Sequence, residues 1–404
     1  MTAEPPPAPV RFQDIFLHRP FLVLWTAFLI SSAGTYLFVI VLAGRIYAET
    51  GSALMASSVF AAQWLLPVML SKVVGRICSS YRIRSIAVIG ELLSASISIA
   101  CAFAFDLSFA SMLACVMLRG FFESLTRTAR TVALKQYVDP RYLEKASSLF
   151  GTSMYLSSGF GAVLGTMLAE RLTFLGVAAV DAGTFVVAAL LYFGIQAKPP
   201  VGRKASAGGS ALATFRRYPD LFRISFYLYV ISGVYQGFHN VARTALPMKH
   251  LGLDITGATN LQLVSAFGIV GGAVFVFRFM SDRRRTFARH PLFLIAITSF
   301  AMPVPFLTHD PMLSFASYCL FIFLFEVAFT RVNNEIIVTT PIESMGYVAA
   351  FNQGCNTALM AIVIVGASAA IDASSVQLVT CVLASAALVA GCLIARGPFS
   401  ARSS

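Results

Sequence analysis

Three charged residues stand where charge is costly. Arg119, Glu123 and Arg127 interrupt an apolar run at i, i+4 and i+8 spacing, which on a helix places all three near one face. If the run crosses a bilayer, each charge costs about 2.5–3.5 kcal/mol at the centre unless it faces a cavity or a partner. Two readings follow. In one, Glu123 is a carboxylate whose protonation is coupled to the movement of a substrate: burial disfavours its charge, the arginines favour it, and the balance leaves the proton exchangeable. In the other, Arg119, Glu123 and Arg127 form a static ladder of ion pairs that makes the helix insertable.

Glu326 stands in a matching context. The segment from Phe325 to Arg331 repeats that from Phe122 to Arg127, 203 positions on, with one residue inserted. Here the readings are coupling again, or an ion pair with Arg331. Asp181 interrupts a further apolar run, where helix anchoring competes with proton coupling. His239 has a side chain that titrates near neutral pH, or is a hydrogen-bonded cavity residue. Tyr235, Gln236 and Asn240 flank it; Ser31, Thr35 and Tyr36 recur near the first apolar run, and Asn352, Gln353 and Asn356 near the eleventh. Together these would line a polar cavity for a small molecule. The alternative is hydrogen bonding between helices, about 0.6 kcal/mol each on average in membranes.

Such residues have to be held by helices in lipid. Of 404 residues, 57% are hydrophobic and 12% charged, with mean hydropathy +0.78; soluble domains carry about 25% charged residues. Hydrocarbon about 30 Å thick takes roughly 20 apolar residues per helix. Twelve helices are predicted, at 21–44, 53–74, 86–105, 108–130, 145–169, 174–196, 221–247, 260–280, 291–308, 312–336, 346–371 and 375–395. The expected fold is an all-α membrane protein of two similar six-helix bundles. The first run lacks a basic flank and a nearby cleavage site, and reads as a retained helix.

Basic residues give the orientation. All but five of the 30 Lys and Arg residues lie toward one set of alternate loops; Arg45, Arg171, Arg243 and Lys249 lie toward the other, and Arg119 falls within a helix. By the positive-inside rule both termini are cytoplasmic. The net charge of +12 is thereby explained without nucleic acid. A Gly-, Ala-, Ser- and Arg-containing linker at 197–220 separates bundles at 21–196 and 221–396, with tails at 1–20 and 397–404. No P-loop, HExxH or G-x-S-x-G pattern occurs, and the seven Cys and five His show no metal spacing. No enzyme activity, cofactor or metal is expected.

With these elements in order, the chain resembles the major facilitator superfamily, and within it the drug and siderophore efflux branch, of the macrolide-efflux and enterobactin-exporter kind. The resemblance rests on Leu24-Trp25-Thr26 with Ile30-Ser31-Ser32-Ala33-Gly34, on Arg119-Gly120, on Asp181-Ala182-Gly183-Thr184-Phe185, and on Leu246-Pro247 through Gly272. It implies a monomeric, proton-coupled antiporter of the inner membrane that exports a drug-like or siderophore-like molecule by alternating access. Other readings are a proton-linked uptake permease, or a membrane sensor or scaffold on the same fold. The family's loop after the second helix, G-x-x-x-D-R-x-x-R, is degraded here: Gly75 remains and Arg82 lies in the same loop, but Ser79 and Ser80 replace the Asp-Arg pair, which the second half keeps as Asp282-Arg283. Gly161 and Gly165 form a small-residue stripe. It suits helix packing and resembles, incompletely, the superfamily's antiporter segment.

Overall fold

The computed structural model describes residues 12–50, 53–169, 171–200, 210–253, 255–280 and 290–396, and all regular structure among them is helical. Helix α1 is Arg19–Thr50; α2 is Ala53–Met69, continued after a break by Ser71–Ser80; α3 is Ile83–Leu107, α4 Phe109–Tyr137, α5 Pro140–Ala169 and α6 Phe174–Phe193. Helix α7 comprises Pro219–Val230 and Gly237–Thr244, with π-helical turns at Ile231–Gln236 and Ala245–His250. Then come α8, Ile255–Phe275 with a π-helical end at Val276–Met280, α9 (Pro291–Ala301), α10 (Pro311–Thr339), α11 (Met345–Ala373) and α12 (Val376–Arg396). Among the described residues α1, α3, α4, α6, α8, α10, α11 and α12 are each long and apolar enough to cross a membrane.

Local chemistry sets several boundaries. Ser108, Thr173 and Asp310 cap α4, α6 and α10 by accepting from the amides of Ser111, Gly176 and Leu313, which satisfies donors the helix leaves free. Pro140, Pro219, Pro291 and Pro311 each begin a helix, where the missing N–H costs nothing. Pro67 lies inside α2, just before its break at Leu70; proline removes an intrahelical hydrogen bond and kinks the helix. Helices also overrun their predicted ends. Helix α4, expected to stop at 130, continues to Tyr137. Hydropathy reports the hydrocarbon thickness, whereas the hydrogen-bonded helix extends past it, so Lys135 belongs to α4 rather than to a loop.

Packing repeats across the two series. Helix α3 packs on α4 and α6, α2 on α4, and α1 on α5; six helices later, α9 packs on α10 and α12, α8 on α10, and α7 on α11. Arg45, near the end of α1, donates to the Leu172 carbonyl, and Lys249, near the end of α7, donates to that of Ile371. The repeated sequence thus has a repeated structure, the pseudo-symmetric twelve-helix arrangement expected. One apolar core is drawn entirely from residues 211–387.

Glycine sets the closest approaches. A Cβ on Gly120 of α4 would lie 1.9 Å from the Gln63 carbonyl oxygen of α2, and one on Gly272 of α8 would lie 2.7 Å from that of Phe323 on α10. Gly161 of α5 meets Ala33 and Tyr36 of α1 in the same way, so the Gly161 stripe packs one helix on another.

Candidate functional site

Two buried ion pairs join the same four helices. Arg119 of α4 pairs with Asp181 of α6 at 2.8 Å. Ser98 of α3 donates to Asp181 at 2.7 Å and accepts from Arg119 Nε at 3.0 Å, while Arg119 also donates to Thr35 of α1 at 3.3 Å. Phe38 and Phe185 face its guanidinium at 4.6 and 5.2 Å. Eleven residues on, Arg130 pairs with Glu91 of α3 and donates to Ser31 of α1 at 2.8 Å, between Phe28 and Tyr192. All four charged groups are nearly or fully sealed from solvent.

The ladder reading is corrected here: Arg119 pairs with Asp181, not with Glu123. Gly34 lies against Asp181 and Thr184, so three of the segments behind the family resemblance converge on this one pair. Ser31 and Thr35, expected in a substrate cavity, turn into the bundle and serve the arginines. Glu91 and Arg130 were missed in the sequence. Glu91 is a carboxylate in a predicted apolar helix, which was signal enough, whereas Arg130, at the predicted end of α4, was counted with the basic residues that give the orientation.

Glu123 has a different setting. Its Oε1 accepts from Arg127 at 2.9 Å and its Oε2 from Gln63 of α2 at 2.7 Å. Arg127 lies over the Trp64 ring at 4.9 Å. Tyr36 of α1 stands within electrostatic reach of Glu123, Arg127 and Arg243 of α7. Tyr36, Trp64 and Arg127 stay partly exposed, as do Gln236, Asn240, Gln353 and Asn356, and Arg243 is exposed. These residues come from both helix series, with Tyr36 of α1 within reach of Arg243 of α7, and from their exposure we infer a cleft between the series. Gly233 and Gly237 of α7 rest on Leu359 and Val363 of α11, and the π-helical turn between Ile231 and Gln236 aims the polar residues that follow. Wide turns of this kind are frequent at functional sites.

Other candidates lie elsewhere. Glu326 is fully buried; it accepts from Thr330 at 2.6 Å, and its second oxygen has no partner. The expected pair with Arg331 does not form, because Arg331 turns to Glu335 at 3.4 Å, one turn along α10. Tyr235 is also fully buried, its hydroxyl donating to the Ile295 carbonyl at 2.9 Å, so it belongs to the core and not to the cleft. His239 is hydrogen-bonded to Tyr318 at 2.8 Å. Asn352 joins α11 to α7 by accepting from Tyr229 at 2.6 Å.

At the end bearing the basic loops the two series meet. Lys135 of α4 donates to the carbonyls of Ile337, Val338 and Thr340 at the end of α10. Asn334 of α10 accepts from Ser147 of α5 and donates to Ser148, each at 2.6 Å. Gly75 of α2 packs on Tyr347 of α11, and Ser79, at the missing Asp position, lies against Gly346. Arg82 is exposed ahead of α3. Asp282 and Arg283 lie outside the described residues. The cleft is therefore closed at the basic end.

A paired twelve-helix bundle with a polar cleft between its halves is the architecture of secondary transporters that work by alternating access. A sequence profile of the Major Facilitator Superfamily matches residues 24–365, and the chain belongs to that family. Among solved structures, a bacterial homologue of the iron transporter ferroportin in the outward-facing state superposes with TM-score 0.77 at 15% identity, covering 95% of this chain and 100% of that one. The human organic anion transporter MFSD10 superposes with TM-score 0.75 at 14% identity, covering 93% and 99%. The transporter FucP in its outward conformation gives 0.70 at 11%, covering 94% and 99%. At these identities the likeness is one of fold. No match is found among curated protein sequences.

Proposed function

We propose that this transporter exports a small organic molecule, drug-like or siderophore-like, in exchange for protons, and that Glu123 carries the proton. The reading rests on one contrast. Glu91, Asp181 and Glu326 are 0% exposed, while Glu123 is 8% exposed, beside the cleft. A coupling carboxylate has to meet water on at least one side of the cycle, and Glu123 has that access. Its partners suit a switch: Gln63 donates to either protonation state, and Arg127 holds only the charged one strongly. Protonation would free Arg127, which lies over Trp64 of α2, while Gln63 keeps Glu123 tied to α2.

In this reading residues 21–196 and 221–396 are the two rocking bundles, 197–220 is the linker, and the ends at 1–20 and 397–404 are tails. The protein works as a monomer in the inner membrane with both termini cytoplasmic, in keeping with the loop charges. Asp181 anchors α6, and His239 and Glu326 act within the second bundle. Gly75 and Arg82, with Asp282 and Arg283, belong to the gating loops. The symporters of similar fold, such as the proton:xylose symporter XylE, supply the second reading, a proton-linked uptake permease.

The test is transport by the purified protein in proteoliposomes. Glu123→Gln is expected to abolish uphill transport under a proton gradient and to leave substrate exchange intact. Unchanged uphill transport would remove Glu123 from the mechanism. Accumulation with the gradient rather than against it would favour uptake.

A further inference from the structure

Four basic residues lie away from the basic end: Arg45, Arg171, Arg243 and Lys249. Arg45 and Lys249 are spent on helix-end carbonyls. Arg243 differs. It projects from α7 as an exposed side chain, with no ion pair or hydrogen bond among the described residues. Among the described residues Tyr36, His239 and Tyr318 are the groups within its electrostatic reach, and none is a carboxylate. Across the cleft, Arg127 is already neutralised by Glu123 at 2.9 Å. Among the described residues the cleft is left with one uncompensated positive charge, and its location is Arg243.

That charge bears on what the cleft can bind. With the basic end sealed, the Arg243 side chain remains exposed. A substrate seated against it takes it out of water, and an unpaired guanidinium taken out of water is strongly disfavoured. Among the described residues no carboxylate pairs with it, so an acidic group of the substrate supplies the counter-charge. Guanidinium presents a planar fork of donors that matches a carboxylate or a similar oxyanion. Tyr36 and Met360, which flank the cleft from α1 and α11, offer an aromatic and a soft apolar surface for the rest of the molecule.

We propose that the substrate is an organic anion whose acidic group is bound by Arg243. This rests on the cleft being the transport site, as argued above, and adds the substrate's charge class.

The test uses three probes of one shape: 1-adamantanecarboxylate, 1-adamantanecarboxamide and 1-adamantylamine. Binding to the detergent-solubilised full chain is read from intrinsic tryptophan fluorescence, because Trp64, one of two tryptophans, lies in the cleft wall. The carboxylate is expected to bind roughly tenfold or more tightly than the amide, with the amine weakest. Arg243→Gln should bring carboxylate and amide within about twofold while leaving the amide's affinity unchanged. Arg243→Lys should fall between, since ammonium keeps the charge but loses the fork; it also serves if the Gln variant does not fold. A carboxylate no tighter than the amide, or a preference that survives Arg243→Gln, overturns the anion assignment and leaves the cleft standing. A fluorescence signal unmoved by all three probes overturns the cleft as the binding site as well.

Discussion

Arg119 and Arg130 occupy the same face of α4, eleven residues apart, and each closes an ion pair inside the first six helices, Arg119 with Asp181 and Arg130 with Glu91. Each arginine also takes a hydroxyl from α1 and an aromatic face from α1 and α6. The two sites are one design used twice. Breaking a buried pair leaves an uncompensated charge, at a cost of about 3–5 kcal/mol. Asp181→Leu is therefore expected to lower the thermal stability of the detergent-solubilised protein severely. The double variant Arg119→Leu with Asp181→Leu should recover most of that loss. A double variant no more stable than the single one would argue against a structural pair.

The fold was legible in the sequence because hydropathy and loop charge depend on lipid, which acts alike on every helix. The repeat around Glu123 and Glu326 also survives as repeated packing. Side-chain partners were less legible. Helical spacing puts Arg119 one turn from Glu123, and nothing in the spacing reveals that Asp181, 62 positions away, lies closer to its guanidinium. Tertiary burial outweighed the local pairing. In the same way Ser31 and Thr35 looked like cavity residues because a hydroxyl in lipid needs a partner, and the sequence does not say on which side of α1 that partner stands. Arg243 falls within the predicted seventh helix, but the sequence does not say which neighbours its guanidinium meets there.

Gly120 gives a steric prediction. Its missing Cβ lets α4 touch the Gln63 backbone, and Gln63 in turn reaches Glu123. Gly120→Ala places a methyl 1.9 Å from a carbonyl oxygen, so α2 and α4 have to separate. Overpacking of this kind costs about 1–3 kcal/mol or more. The expected result is a lower unfolding temperature together with weakened transport, because the same shift draws Gln63 away from Glu123. Gly44→Ala is the control: a Cβ there meets nothing within 4 Å, and both properties should stay at the parent level.

The seal at the basic end can be read through a native thiol. Cys78 is fully buried, beside Gly346 where α2 meets α11. Lys135→Gln removes the ammonium that gathers three carbonyls of α10, and Asn334→Ala removes the link to Ser147 and Ser148. Each variant is expected to raise the rate at which a maleimide labels Cys78 severalfold, in a background where the other six cysteines are alanine. Combining the two should raise it further. Labelling that stays at the parent rate would show that the seal is carried by apolar packing around Gly75 and Tyr347.

Glu123 and Glu326 occupy matching places in the repeat, and their surroundings predict opposite responses to the same change. Glu123 has a cation, an amide and access to the cleft; Glu326 has Thr330 as its hydrogen-bond donor, one bare oxygen and no exposure. A buried carboxylate without a cation is costly in its charged form, so an isosteric amide should be tolerated there. The Gln oxygen can still accept from Thr330, and the loss of a charge in the apolar α8–α10 contact offsets the change in hydrogen bonding. Glu326→Gln is expected to keep thermal stability within about 1 kcal/mol of the parent, the usual scale of a single hydrogen-bond change, and to keep gradient-driven transport in proteoliposomes. Glu123→Gln should keep stability and lose gradient-driven transport. If Glu326→Gln were the variant that uncoupled transport, the proton would have to travel through the second bundle, and the cleft-facing carboxylate would be left to hold Gln63 and Arg127 in place.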